Sequence, residues 1–192
     1  MPVLTLSDPP AAKESLFRKY MGGCAAMFGD KCCLWLTLGG MCRFWQGYTL
    51  TYYSFSYFNV YKKDTLFGTM NGISVLIGGF TSSIVAGIIC DKYEKINYKT
   101  KSYVIMFQSI SAVPICAIAF LTHYSFALSM TFVFLEYLLS EGWMPPTLAM
   151  LMTCIDVKFK GVAVGIFLFA TTIAGTVAVW FDAQMIKWLN GE

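Results

Sequence analysis

Five apolar runs punctuate this chain, each close to the length a helix needs to cross a lipid bilayer, and they limit its fold more than any other feature. A hydrocarbon core of about 30 Å takes roughly 20 helical residues at about 1.5 Å each. The runs extend over about Cys33 to Phe58, Leu66 to Cys90, Tyr103 to Leu121, Phe126 to Cys154 and Gly161 to Phe181. Hydrophobic residues make up 57% of the 192 and charged residues 13%, the latter about half the share of a soluble domain. At a mean hydropathy of +0.60, the chain carries too little charge to keep a soluble surface of this size wet. The sequence predicts an all-α membrane protein with about five transmembrane helices. Its parts are an N-terminal arm over 1–31, a transmembrane bundle over 32–182 and a short tail over 183–192.

The arm lacks an apolar core of signal-peptide length. Pro9 and Pro10 precede a mixed segment, Ala11 to Phe28, which reads as an arm at the membrane surface. Lysine and arginine set the orientation. The arm and the loops after the second and fourth runs hold ten of them: Lys13, Arg18, Lys19, Lys31, Lys92, Lys95, Lys99, Lys101, Lys158 and Lys160. The opposite side holds three, Lys62, Lys63 and Lys187. Positive residues favour the cytoplasmic side, so the arm is expected inside and the tail outside.

A net charge of +3 leaves no clustered basic footprint for nucleic acid. The seven cysteines (24, 32, 33, 42, 90, 116 and 154) form no C-x-x-C pair, and His123 is the single histidine. Most of the thiols lie in apolar runs, where cysteine serves as a small hydrophobe. Neither a metal site nor a cofactor is expected. An enzyme would need a His/Asp/Glu or Cys/His constellation, so none is expected here either.

Only the first and fourth runs carry ionisable groups in their middles: Arg43, Glu136 and Glu141. A charge at mid-membrane costs roughly 2.5–3.5 kcal/mol on insertion scales, so each needs a reason. At helical spacing Arg43 shares a face with Gln46, Thr49, Tyr53 and Tyr57, a stripe that should meet protein or water. Glu136 shares another with Ser129, Ser140, Trp143 and Thr147. Glu141, five positions on, points about 140° away, toward a neighbouring helix. Two readings follow from the residues. Arg43 and Glu136 belong to a solute pathway or proton relay, or they form a structural pair with Arg43 snorkelling outward. Pro145 and Pro146 should break the fourth run near mid-depth and free backbone carbonyls.

Small residues mark the second and fifth runs: Gly68-x-x-x-Gly72, Gly78-Gly79, Ser83 and Gly87, then Gly161-x-x-x-Gly165 and Gly175. This spacing lets helices approach closely and predicts a tight seam. The third run has neither charges nor such a pattern and reads as a lipid-facing support.

Gly87-Ile88-Ile89-Cys90-Asp91-Lys92 resembles the G-x-x-x-D-[RK]-x-G-[RK]-[RK] signature of the major facilitator superfamily. The run Glu141-Gly142-Trp143-x-Pro145-Pro146-Thr147, with Asp156 and Lys160-Gly161, is similar to that family's fourth/fifth or tenth/eleventh helix pair. The spinster-like branch is one that it resembles. The resemblance implies helices seven to eleven of a twelve-helix bundle, an incomplete half. It further implies a secondary transporter moving a small solute by alternating access. Cavity-lining first and fourth helices would carry Arg43, Gln46, Tyr53, Glu136, Ser140 and Glu141. Gly68, Gly72 and Gly165 would pack helices at the interface between halves. Asp91, with Gly87 and Lys92, would dock at the start of the fifth run near Lys160 and Gly161, forming a cytoplasmic latch. The alternative is an aspartate solvated in a charged loop. Glu94 replaces the motif's second glycine, and its basic pair is spread over Lys95, Lys99 and Lys101. The expected partners are the bilayer, a solute and an N-terminal six-helix half. Without that half the chain is not expected to transport. A non-transporting subunit of a membrane complex is the competing expectation.

Overall fold

A computed structural model describes residues 16–122 and 124–190. The first half of the expected arm, His123 and the last two residues lie outside the described residues. The described chain is helical throughout, without a strand. Helix α1 spans Leu16–Gly29 and α2 Lys31–Asn59. Helix α3 (Asp64–Ser74) continues through one π-helical turn, Val75–Gly79, into α4 (Phe80–Tyr93). Helix α5 covers Thr100–Leu121 and α6 Phe126–Ser140. A 3-10 turn, Glu141–Trp143, leads into α7 (Met144–Cys154), and a second, Val157–Phe159, into α8 (Lys160–Asn190).

Short connections divide the described chain after α1 into five long helical passes. Three of them, Thr65–Tyr93, Thr100–Leu121 and Val157–Leu189, are long and apolar enough to cross a membrane. The other two fall short of that measure for physical reasons. Helix α2 has 29 residues, about 43 Å at about 1.5 Å per residue, but Arg43, Gln46 and a series of Thr, Ser, Tyr and Gly dilute its apolar character. The fourth pass is interrupted by the turn at Glu141–Trp143 and carries two carboxylates and Pro145–Pro146. The apolar helices turn large side chains outward, among them Leu76, Phe107, Ile110, Val113, Phe169 and Trp180. A water-soluble monomer does not carry an apolar surface of that extent, and the molecule is an all-helical membrane protein. In α5 only 17% of the spanning window is buried, which puts this helix at the outside of the bundle.

The α6–α7 pass is the hub, packing on α2, α3, α4, α5 and α8. Helix α8 packs along α2, with α1 and α7 beside it, whereas α4 packs on α5, α6 and α7. Two apolar clusters close the bundle. At the start of α2, Met27, Cys33, Leu151, Ile155, Ala163 and Phe167 pack together. At its far end, Phe58, Phe67, Phe126, Met130, Val133 and Tyr137 form the second cluster. There Phe58 stacks on Phe67 with ring centres 4.6 Å apart, and meets Phe126 edge-on at 5.8 Å, arrangements the ring quadrupoles favour.

The glycines of the second and fifth runs divide into two sets. A Cβ at Gly68, Gly72, Gly87, Gly161 or Gly165 would meet nothing within 4 Å, so these glycines face away from the helices of this chain. Gly78 and Gly175, from the same two runs, do meet neighbours, and a Cβ at Gly175 would lie 2.8 Å from the Tyr48 ring. A Cβ at Gly78 would stand 2.9 Å from Tyr137 Cβ and 3.2 Å from the Leu138 nitrogen, and one at Gly142 would strike the Ser82 carbonyl oxygen. Small-residue spacing marks a flat helix face but not what lies against it. Helix α8 runs nine residues past Phe181, through Asn190, so most of the expected tail is helical. The described part of the arm, α1, is docked on α8: a Cβ at Gly23 would lie 2.6 Å from Val162 Cγ1, and Met27 is fully buried.

Candidate functional site

The end of α6 creates the site. A helix leaves its last four carbonyls without intrahelical partners, and Pro145 and Pro146 fall in the first turn of α7, where a missing N–H costs least. Arg43 Nη2 donates to the freed Ser140 carbonyl at 2.6 Å. The Ser140 hydroxyl donates to Glu136 Oε1 at 2.7 Å and lies 2.6 Å from the Glu136 carbonyl. Ser140 thus stands between cation and carboxylate, its carbonyl taking one and its hydroxyl serving the other. Arg43 Nη1 also donates to Gln46 Oε1 at 2.7 Å, and the guanidinium carbon lies 5.6 Å from the centre of the Trp143 ring, within cation–π range. No ion pair joins Arg43 to either glutamate. Two atoms of the junction, Arg43 Nε and Glu136 Oε2, are buried without a hydrogen-bond partner. An orphaned buried polar atom costs about 1–3 kcal/mol, more if charged, and such atoms concentrate where a chain keeps groups for function.

Four of the six expected pathway residues divide between two clefts, and Glu136 and Ser140 line neither. A cleft of about 480 Å³ is lined by Arg43, Thr51, Asn71, Ser83, Glu141 and Trp143, among others. A second, of about 740 Å³ on the other side of α2, is lined by Gln46, Thr49, Tyr53, Cys116 and Asp182, among others. The Arg43–Gln46 hydrogen bond crosses from one to the other. Glu136 does not line the first cleft; it is fully buried behind Ser140. Glu141, expected to turn toward a neighbouring helix, opens into the cleft beside Arg43. The 100° count holds through Ser140 and fails after it, because the chain tightens into a 3-10 turn. The α2 stripe does meet protein. Thr49 Oγ1 donates to Asp182 Oδ2 at 2.6 Å, and the Tyr57 hydroxyl to the Phe120 carbonyl at 2.7 Å. The Tyr53 hydroxyl is buried without a partner.

Asp182 escapes the sequence reading, since the fifth apolar run ends one residue before it. Gln108 and Ser82 escape it too, although they hold the break in the fourth pass from outside. Gly142 N–H donates to Ser82 Oγ at 2.9 Å, and Gln108 is buried against Gly142. An amide in the middle of the otherwise plain α5 is the one signal in the sequence for Gln108.

The latch residues are apart from this junction. Asp91 and Lys92 are exposed at the end of α4, and no hydrogen bond or ion pair among the described residues joins Asp91 to Lys160. The start of α8 packs on α1 instead. Glu94, the departure from the signature, has a partner of its own: Lys101 Nζ lies 2.6 Å from its Oε1. That pair ties the two sides of the α4–α5 loop, where the Thr100 hydroxyl also donates to the Asn97 carbonyl at 2.7 Å.

One cluster arises from residues that the spacing of the cysteines gave no reason to group. Asp30, Cys33 and Cys154 bring one potential ligand atom each to within 4.8 Å of one another, and Cys154 Sγ lies 3.3 Å from Cys32 Sγ. Comparison with protein-family models, characterised proteins and solved structures gives no match to this chain.

Proposed function

We propose that the chain is part of a secondary active transporter, moving a small solute across a membrane by alternating access. The observation that carries this reading is the Arg43–Ser140–Glu136 junction at the break of the fourth pass, with orphaned polar atoms on both charged groups and Arg43 opening into a cleft. Charges cost several kcal/mol inside a bilayer, and a chain that keeps them beside a broken helix has the features of a solute site. In this reading five helices cross the membrane as a multi-pass protein, with the N-terminus cytoplasmic. Arg43 and Glu141 meet solute directly, and Glu136 supplies a buried negative charge behind the Ser140 hydroxyl that the transport cycle needs. A six-helix half, in the same or another polypeptide, closes the clefts, as in the spinster-like members of the major facilitator superfamily that the motifs resemble. Asp91 and the start of α8 form their latch in a different state of the cycle.

Uptake tests the reading. Cells that supply the six-helix half, carrying or lacking this chain, are profiled across classes of labelled small solutes. Arg43→Ala and Glu136→Gln should each abolish any chain-dependent uptake while the protein remains in the membrane. Tags after Lys101 and after Lys187 should report opposite sides. The second reading, a non-transporting membrane subunit, draws on the glycines that face away from this chain, which could seat a partner helix. A stoichiometric partner with no solute flux would favour it.

A further inference from the structure

Three cysteines and an aspartate from distant parts of the chain meet where α1, α2 and α7 come together. Asp30 is the N-cap of α2, Cys32 and Cys33 lie in that helix's first turn, and Cys154 is the last residue of α7. We propose that Asp30, Cys33 and Cys154 bind a zinc-class divalent cation, with the Cys32 thiol in reach of the fourth position.

Four observations carry the assignment. The first is distance. Around a tetrahedral zinc with bonds of about 2.0–2.3 Å, neighbouring ligand atoms stand roughly 3.3–3.8 Å apart. Here the three donors lie within 4.8 Å of one another, so contraction by about 1 Å seats them on one ion, and the Cys32 thiol, 3.3 Å from Cys154 Sγ, stands outside the three and would swing in to reach the fourth position. The second is pre-organisation. Asp30 Oδ1 accepts the Cys32 N–H at 2.7 Å, which fixes the carboxylate and leaves its other oxygen for the ion. Hydrogen bonds of this kind orient metal ligands. The third is the donor set. Thiolates exclude calcium and magnesium, while a carboxylate among them suits zinc better than copper(I). The fourth is access. Cys33 is fully buried among Met27, Leu151 and Phe167, whereas Cys32 is exposed and Asp30 half-buried. The ion therefore enters from one side and binds against a packed floor. Each thiol that ligates releases its proton to solvent. The bound ion would tie the start of α2 to the end of α7, the two helices that flank the Arg43 junction.

Cobalt(II), a coloured stand-in for zinc, tests this on the whole chain purified in detergent with a phosphine reductant. We expect one cobalt per chain, tetrahedral visible bands, a sulfur-to-cobalt charge-transfer band, and displacement by zinc. Cys154→Ser should remove the charge-transfer band or weaken binding at least about tenfold. Asp30→Asn keeps a cap oxygen for the Cys32 N–H and should also weaken binding at least about tenfold. Cys42→Ser should leave it unchanged. Helical circular dichroism verifies that each variant is folded, and Asp30→Asn decides the matter if Cys154→Ser does not fold. Absence of the charge-transfer band in the folded wild-type chain would overturn the proposal. So would a band that survives in both ligand variants, or a Cys32–Cys154 disulfide that forms in the presence of zinc without reductant.

Discussion

The aromatic end of the bundle and the polar junction in its middle are both buried, yet they are built on opposite principles. Around Phe58 rings pack on rings at 4.6–6.3 Å, and the Tyr57 hydroxyl beside them has its partner in the Phe120 carbonyl. Nothing there is left wanting. Around Ser140 the helix is broken, two charged groups are held by few hydrogen bonds, and two polar atoms have no partner. In a bilayer, where helices gain little from the hydrophobic effect, dispersion between packed side chains carries much of the association. The aromatic end supplies that. The junction gives some of it up, which a chain does where groups are kept for chemistry or binding.

The largest effect that could break this contrast is at Phe58. Phe→Ala in a packed core costs about 3–5 kcal/mol, and the packing share of that survives in lipid. Phe58→Ala should lower the melting temperature in detergent more than Gly142→Ala, Glu136→Gln or Gly165→Ala. A fall smaller than that of Glu136→Gln would invert the comparison. Next is Gly142→Ala, whose methyl would press on the Ser82 backbone and Gln108. Overpacking of this kind costs about 1–3 kcal/mol, read as a lower melting temperature and lower yield. Glu136→Gln should come third. The amide oxygen still accepts from the Ser140 hydroxyl, so stability should change by less than about 1.5 kcal/mol, while chain-dependent uptake, in the proposed reading, is lost. A variant that melts early and still transports would assign Glu136 to structure. The smallest effect belongs to Gly165→Ala. It lies on an open helix face, and alanine should leave the melting temperature unchanged or raise stability by up to about 1 kcal/mol. If that face seats a partner helix, the same variant should weaken copurification of the partner, which sharpens the contrast between this chain's own contacts and those it offers outward.

The contrast is partly legible in the sequence. Charges confined to the first and fourth runs, and the two prolines after Glu141, point to the junction, because such groups are tolerated inside a bilayer only with a reason. The stripe Arg43, Gln46, Thr49, Tyr57 survives because α2 keeps helical periodicity from Lys31 to Asn59. Glu141 faces the cleft and not a neighbouring helix, because periodicity cannot be carried through a turn that changes pitch. Spacing alone does not separate the glycines that meet this chain's own helices, Gly78 and Gly175, from those that face outward, Gly68, Gly72 and Gly165, since spacing has no partner written into it. The cysteine cluster is out of reach of any local motif, since Cys32 and Cys154 are 122 residues apart and only the docking of α7 on α2 brings them together.

In the proposed reading the cleft beside Arg43 is wet while the apolar faces of α5 and α8 meet lipid. Thiol labelling with a membrane-impermeant reagent tests it directly. Cysteines at Thr51 and Ser83, which line the cleft, are compared with cysteines at Ile110 and Phe169, which are exposed on the outer faces. Labelling above that of the unsubstituted chain is expected at Thr51→Cys and Ser83→Cys and not at Ile110→Cys or Phe169→Cys. Labelling of the outer-face positions with protection of the cleft would contradict the account.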